Sequence, residues 1–142
     1  MTHTNIRPFA LTDSEAVITV WKACGLVVPW NDPHKDIARK MKVNPELFLV
    51  AIADGRVVGT VMGGYEGHRG WINYLAVSPN YQGRGIGRAL MDNIEAKLLA
   101  LGCPKINLQV RSSNRAIIQF YGHIGYHIDD VISLGKRLIP DG

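Results

Sequence analysis

The segment Gln82-Gly83-Arg84-Gly85-Ile86-Gly87-Arg88 carries glycines at three alternate positions. Glycine has no Cβ, so the backbone of such a segment can approach a ligand closely. The residues that follow, Ile86 to Leu101, place apolar side chains at helical spacing and predict an amphipathic helix. The first N–H groups of a helix lack intrahelical partners, and the helix dipole favours an anion beside them. Together with Arg84 and Arg88, these features predict a loop that binds phosphate groups.

Two better-known phosphate motifs do not fit this loop. A P-loop ends in Gly-Lys followed by Ser or Thr, and no Lys-Ser or Lys-Thr pair follows here. A dinucleotide fingerprint has a glycine at its sixth position, which is Arg88 counted from Gly83 and Leu90 counted from Gly85. A turn that needs glycine only for tight packing is the remaining alternative, and it does not account for the two arginines.

The elements around the loop predict an α/β domain with one mixed sheet, because consecutive antiparallel strands precede a strand–helix–strand crossover. The turn at Asp54-Gly55 is typical of a hairpin. A second turn is predicted over Gly63–Gly70, and a final hairpin over Tyr126–Ile128 and Val131–Leu138. The other strands are predicted at Asn5–Phe9, Leu47–Ile52, Val57–Met62, Trp71–Val77 and Lys105–Val110, and the other helices at Ala16–Cys24, Asp36–Met41 and Ser112–Ile124.

Length and composition predict one domain over residues 1–142 in a cytoplasmic protein. No apolar run approaches the roughly 20 residues of a membrane span, and the N-terminus lacks the apolar core of a signal peptide. Two cysteines supply neither a disulfide framework nor a metal site, so we expect no metal. The net charge is +4, and residues 81–115 carry six basic and two acidic residues, which accounts for the whole surplus. This surplus indicates an anionic partner.

The glycine loop resembles motif A of the GCN5-related N-acetyltransferases, the GNAT superfamily. Gln82-x-x-Gly85-x-Gly87 fits the family pattern [RQ]-x-x-G-x-[GA]. Tyr74–Pro79 is similar to the family's fourth strand and its turn, and Asn114–Ala116 with Phe120-Tyr121 and Gly125-Tyr126 is similar to its N-x-x-A…F-Y…G-F region. Outside the core motif, Trp30–Pro33, Gly63–Gly70 and Leu134–Arg137 resemble the small bacterial YpeA-type acetyltransferases. The resemblance implies a GNAT fold, with a mostly antiparallel sheet whose central parallel strands splay apart.

The resemblance also implies acetyl-CoA as cosubstrate and an amine as acceptor. By family analogy, backbone groups of Leu75 and Val77 hold the pantetheine arm and polarise the acetyl carbonyl. The backbone of the loop binds the pyrophosphate, and Asn114 bonds the cofactor arm. Tyr121 protonates the departing thiolate. The loop residues so assigned are Gln82, Gly83, Arg84, Gly85, Gly87 and Arg88.

The chemistry of a thioester is compatible with the role of Tyr121. A thiolate with a pKa of about 8.5 can take a proton from a positioned tyrosine hydroxyl with a pKa of about 10. The alternatives are a core aromatic at Tyr121 and a simple helix cap at Asn114. The proton acceptor is harder to identify, because the strand Trp71–Val77 contains no glutamate. Glu66, with His68 in the same preceding turn, is the candidate base, acting through water, and the alternative is that both are solvated turn residues.

The expected reaction is direct transfer of acetyl to a primary amine of a small molecule or a protein, in a ternary complex. We expect the acceptor site at Trp30–Asp32, at the Tyr65–His68 turn and at Asp129-Asp130. The alternative function is a non-catalytic acetyl-CoA-binding regulatory module. A nucleic-acid binder is disfavoured because the basic stretch has no interleaved aromatics apart from Tyr81. We expect no membrane partner, and a monomer or a homodimer.

Overall fold

A computed structural model describes residues 3–141, which form a mixed sheet with helices on both faces. No helix in this range is long and apolar enough to cross a membrane. The strands are β1 (Thr4–Pro8), β2 (Phe48–Ala53), β3 (Arg56–Tyr65), β4 (Gly70–Val77) and β5 (Ile106–Leu108). The helices are α1 (Ser14–Ala23), α2 (Pro33–Lys40), α3 (Ile86–Ala100) and α4 (Arg115–His123), with single 3-10 turns at Leu11–Asp13, Pro45–Leu47 and Pro79–Tyr81.

The sheet order is β1-β2-β3-β4-β5, antiparallel except for the parallel pair β4–β5. Alternate residues of β2 belong to two separate core clusters, because successive strand side chains point to opposite faces. Leu49 packs with Leu90 and Ile94 of α3, while Phe48 packs with Trp21 of α1. These layers confirm the predicted α/β class and the mostly antiparallel sheet.

The two parallel strands separate soon after they meet. Pairing joins Gly70–Ile72 to Ile106–Leu108 and then stops, although β4 continues to Val77. The chain leaves β5 at Leu108 and turns toward α4, so the predicted strand Lys105–Val110 is shorter than expected. The edge of β4 beyond Ile72 therefore faces a gap, which confirms the predicted splay, and β5 is the edge strand of the described sheet.

A bulge in β4 lies at the start of this gap. The register pairs Thr60 with Ala76 and Met62 with Asn73, so Tyr74 and the next residue together face Val61 alone. Tyr74 has a φ of 53°, which is uncommon for a residue with a Cβ. A bulge of this kind re-aims a side chain. The Tyr74 ring stacks on Trp21 with a centroid separation of 3.8 Å, and this contact holds the altered direction.

The predicted turn over Gly63–Gly70 is too long, because β3 extends to Tyr65 and only residues 66–69 make the turn. Gly63 is a strand residue that packs against α3. A Cβ at this position would lie 2.7 Å from Cδ1 of Ile94. The glycine at position 63 is therefore explained by the close packing of α3 on β3 and not by a turn.

The predicted final hairpin is wrong, since residues 124–141 contain no strand. This segment is held by side-chain hydrogen bonds and not by a backbone ladder. Asp129 accepts hydrogen bonds from Lys105 at 3.0 Å and Asn107 at 2.8 Å, and Arg137 donates to Asn31 at 2.8 Å. A hairpin needs a buried apolar face, but the apolar residues that suggested the strands are exposed. They are Ile128, Val131, Ile132, Leu134 and Leu138.

The end of this tail is fixed to α2. The Asp141 carboxylate accepts hydrogen bonds from the Asp32 backbone N–H and from Arg39 Nη2, both at 2.7 Å, and its side chain is 1% exposed. Lys35 Nζ donates to the Asp141 carbonyl at 2.6 Å. The hydrogen bond from Arg39 holds the pKa of Asp141 below its usual range. The tail thus stays anchored at neutral pH.

We predict that Asp141→Asn loosens the tail, because the amide cannot replace the charge-assisted bond to Arg39. Trypsin cleavage after Lys136 and Arg137 should accelerate roughly tenfold, as expected when local opening controls proteolysis. Asp130→Asn is the matched control, since Asp130 is an exposed carboxylate of the same segment. Equal cleavage of both variants would show that Asp141 does not anchor the tail.

Candidate active site between the splayed strands

The gap beside β4 opens into a cleft of about 820 Å³. Its floor is β4, and its walls come from α2, from the segment after β5 and from α4. The polar residues that line it are Asn31, Asp36, Arg39, Lys40, Asn73, Tyr74, Gln109, Arg111, Asn114 and Tyr121. Apolar residues line the rest of the cleft, so its wall combines polar and apolar surface, as a site for an amphipathic substrate requires.

The glycine loop joins the end of β4 to the start of α3. Gly83 and Gly85 have φ of 78° and 81°, the left-handed region that side chains rarely adopt, and Gly85 is the residue before α3. The first helical hydrogen bond runs from the Ala89 N–H to the Gly85 carbonyl, so the N–H groups of residues 86–88 precede it. Gln82 Nε2 donates to the Val77 carbonyl at 2.9 Å and fastens the loop to β4.

The two loop arginines differ in their surroundings. Arg84 folds back on its own turn, with its guanidinium 4.8 Å from the Tyr81 ring centroid and 3.1 Å from the Asn80 carbonyl. Arg88 lies exposed in the first turn of α3. Both charges therefore remain close to the open N-terminus of the helix.

The backbone of Leu75 lies at the bulge and lines the cleft. Ser78 N–H donates to Val58 in β3, and Ala76 pairs with Thr60. Backbone N–H and C=O groups of successive strand residues alternate in direction. Those of Leu75 and Val77 therefore point toward the gap, away from β3. The Val77 carbonyl already accepts bonds from Gln82 and from the Cys24 thiol.

The N-cap residue of α4 and one tyrosine within the helix reach the cleft from the opposite wall. Asn114 is the N-cap of α4, and its Oδ1 accepts from the Ile117 N–H at 3.2 Å. Tyr121 is 7% exposed and packs edge-to-face against Phe120 and Tyr126. Burial raises the pKa of Tyr121 to about 12, and its hydroxyl makes no hydrogen bond to any described residue. The hydroxyl therefore keeps its proton and remains available to a ligand.

Glu66 does not line this cleft. Its carboxylate accepts the backbone N–H groups of His68 and Arg69 within the β3–β4 turn. The turn adjoins Gly70, and four residues of strand from Gly70 to Tyr74 span about 13 Å. The structure thus does not bring Glu66 together with Leu75 and Tyr121.

A carboxylate that the sequence analysis missed does line the cleft. Asp36 Oδ2 accepts a hydrogen bond from the Tyr74 hydroxyl at 2.6 Å and another from Asn31 Nδ2. The Asn31 amide also donates to the Tyr74 oxygen at 3.1 Å. Burial, together with the bond to Asp36, raises the pKa of Tyr74 well above its usual range. Asp36 is the one carboxylate among the described residues of the cleft wall.

Of the residues expected to hold the acceptor, Asn31 alone lines the cleft in the described structure. Trp30 is 59% exposed. Asp32 caps α2, accepting the His34 N–H at 2.9 Å. Asp129 is bonded to Lys105 and Asn107 beside β5, and the Tyr65 hydroxyl donates to carbonyls near the β3–β4 turn.

Comparison with known proteins agrees with the fold. Residues 15–126 match the Acetyltransferase (GNAT) family. An acetyltransferase of Pectobacterium atrosepticum is 55% identical over 136 residues, which cover 96% of each chain. The crystal structure of Ard1 from Thermoplasma volcanium has a TM-score of 0.76 and 25% identity, covering 89% of this chain and 84% of that one. Aminoglycoside N-acetyltransferase AAC(6')-Iy in complex with CoA has a TM-score of 0.78 at 15% identity, covering 98% and 97%.

The fold and the sequence match define an acyltransferase. The chain belongs to the GNAT acetyltransferase family and is an acetyl-CoA-dependent N-acetyltransferase. The family resemblance stated from the sequence is thereby confirmed at the level of family, fold and enzyme class.

Proposed function

We propose that the protein transfers acetyl from acetyl-CoA directly to a primary amine, of a small molecule or a protein, while both are bound in the cleft. One observation carries the proposal. A carboxylate, Asp36, and a protonated hydroxyl, Tyr121, line the same cleft beside an unpaired strand edge. Such a pair can take a proton from one reactant and give a proton to the other. The name of the CoA-bound structural neighbour, an aminoglycoside N-acetyltransferase, describes the same class of reaction.

The donor-binding groups fit acetyl-CoA, which supplies the acetyl group as a thioester. The left-handed glycines Gly83 and Gly85 bring an open helix N-terminus next to β4, which suits a pyrophosphate. Arg84 and Arg88 would add positive charge there, and Gln82 would keep the loop in place. The edge of β4 beyond its pairing with β5 would hold the pantetheine arm, at Leu75 and at the N–H of Val77, with Gly87 beside it. Asn114 Nδ2 would also donate a hydrogen bond to this arm, because the helix cap uses only the Oδ1 atom of Asn114.

Transfer from acetyl-CoA to the neutral form of the amine requires one bond to form, one bond to break and two proton movements. The amine nitrogen bonds to the acetyl carbonyl carbon, and the carbon–sulfur bond breaks. Asp36 accepts the proton that the amine loses, and Tyr121 donates its proton to the departing sulfur. The Leu75 N–H would polarise the acetyl carbonyl. Positioning both reactants in one cleft supplies much of the remaining acceleration.

We assign the proton acceptor to Asp36 in preference to Glu66. Asp36 lines the cleft and is oriented by Tyr74 and Asn31. Glu66 is engaged by two backbone N–H groups in its own turn and would need a water chain to act. Asp36→Asn should therefore lower turnover more than Glu66→Gln does.

A broad acceptor screen tests the proposal. The purified protein is mixed with acetyl-CoA and a panel of amines, and free CoA thiol is measured. We expect thiol release that depends on one class of amine and that falls at least about tenfold in Asp36→Asn, the scale of general base catalysis. Acetyl-CoA binding by calorimetry is the control. A protein that binds acetyl-CoA but releases no thiol with any amine would instead be the non-catalytic module.

A further inference from the structure

Lys40, the last residue of α2, is a buried ammonium in the cleft wall. The residue is 9% exposed and lines the cleft one helical turn from Asp36. Its Nζ donates to the Gly63 carbonyl of β3, and no described carboxylate forms an ion pair with it. An ammonium has three donors, so the single carbonyl leaves two donors without hydrogen bonds to described residues. The exposed Glu46 acts on the charge only at a distance, without an ion pair.

The rest of the cleft wall adds to this positive charge. Three basic residues, Arg39, Lys40 and Arg111, line the cleft, against the single acidic residue Asp36. Arg39 is compensated, with its Nη2 2.7 Å from Asp141 and its Nη1 3.7 Å from Asp36. Lys40 is not compensated in this way. Burial away from a paired charge costs free energy, and it lowers the pKa of Lys40, although the more distant Glu46 carboxylate opposes this shift. An anionic group on the substrate would offset that cost.

The spacing of Asp36 and Lys40 on α2 limits which acceptors can contact both side chains. Asp36 and Lys40 are separated by four residues, so their Cβ atoms lie about 6 Å apart on one helix face. We propose that the acceptor is an amino acid, whose amine is received at Asp36 and whose carboxylate is received at Lys40. This inference rests on the proposed function and names its substrate class. A polyamine would bring a second positive charge to Lys40 and is disfavoured.

The test compares acceptors that differ only in the carboxylate. ω-Amino acids of increasing chain length are paired with the alkylamines of equal length, whose amines have similar basicity. Each compound is titrated by calorimetry into protein saturated with CoA, and thiol release from acetyl-CoA is measured for the same pairs. We expect the best amino acid to bind at least about tenfold tighter than its alkylamine. Equal or weaker binding of the amino acids would overturn the inference.

Lys40→Met removes the charge while keeping an unbranched stem in the packed wall. We expect this variant to lose the preference for the carboxylate, through weaker amino acid binding, while alkylamine binding is kept. Lys42→Met is the matched control, because Lys42 is exposed and does not line the cleft. If Lys40→Met does not fold, Lys40→Gln makes the same comparison. A preference that survives the loss of Lys40 would contradict the role.

The two readouts separate this inference from the proposed function. If amino acids bind more tightly than alkylamines but no amine causes thiol release from acetyl-CoA, the acceptor site is supported and the proposed catalysis is contradicted. Thiol release with alkylamines as readily as with amino acids would retain catalysis and contradict the acceptor class.

Discussion

Gly85→Val is expected to abolish acetyl-CoA binding, with affinity falling at least about 100-fold, or about 2.7 kcal/mol. Gly85 precedes α3 at a φ of 81°, where a β-branched residue is strained. A side chain there would also project beside the N–H groups of residues 86–88 that we assign to the pyrophosphate. Calorimetric titration with acetyl-CoA measures the loss directly.

Gly102→Val is the matched control for this substitution. Gly102 lies just beyond the other end of α3 with a φ of 87°, so the same side chain imposes a similar backbone strain. The helix of 15 residues separates the two glycines by about 22 Å. We expect Gly102→Val to lower stability but to keep acetyl-CoA affinity. Tight binding by Gly85→Val, or equal loss in both variants, would contradict the assignment of the loop.

Tyr121→Phe is expected to lower kcat about 100-fold while leaving the KM for acetyl-CoA within about threefold, because it removes only the proton donated to the thiolate. Burial raises the pKa of Tyr121 to about 12, so its hydroxyl stays protonated throughout the assay range. If wild-type activity declines below about pH 11, ionisation of Tyr121 is not the cause. The Tyr121→Phe variant should therefore show the same decline at the same pH. Steady-state kinetics over a pH series measures both effects.

Tyr126→Phe separates this role from packing. Tyr126 packs edge-to-face on Tyr121, but its hydroxyl donates to Glu95 at 2.7 Å and does not line the cleft. Deleting the Tyr126 hydroxyl should lower stability and leave kcat within about threefold. Tyr121→Phe turnover close to that of the wild type would show that another group protonates the thiolate.

Local sequence signals were sufficient for much of the fold. The glycine loop, the α3 apolar stripe and the Asp54-Gly55 turn each depend on neighbouring residues, and the structure has all three elements. The splay of β4 from β5 followed from the family resemblance, and the short β5 accounts for it.

Contacts between distant residues account for what the sequence did not reveal. The Tyr74 bulge depends on pairing with β3, and the Asp36–Tyr74 bond joins residues 38 positions apart. No periodicity signals either feature. The prediction of a final hairpin was wrong for a similar reason, because Asp129 and Arg137 bond to side chains that are distant in sequence, in β5 and in the loop before α2. Gly63 was misread because its close neighbour, Ile94, is remote in sequence.

The central claim is that acetyl passes from acetyl-CoA to an amine within the cleft that Asp36 and Tyr121 share. The most direct test measures free CoA thiol and acetylated amine together in one reaction, with the best acceptor from the screen. We predict equal amounts of both products, formed only when the amine is present and lost together in Gly85→Val. Thiol release without acetylated amine, or acetylation that survives loss of both Asp36 and Tyr121, would contradict the claim.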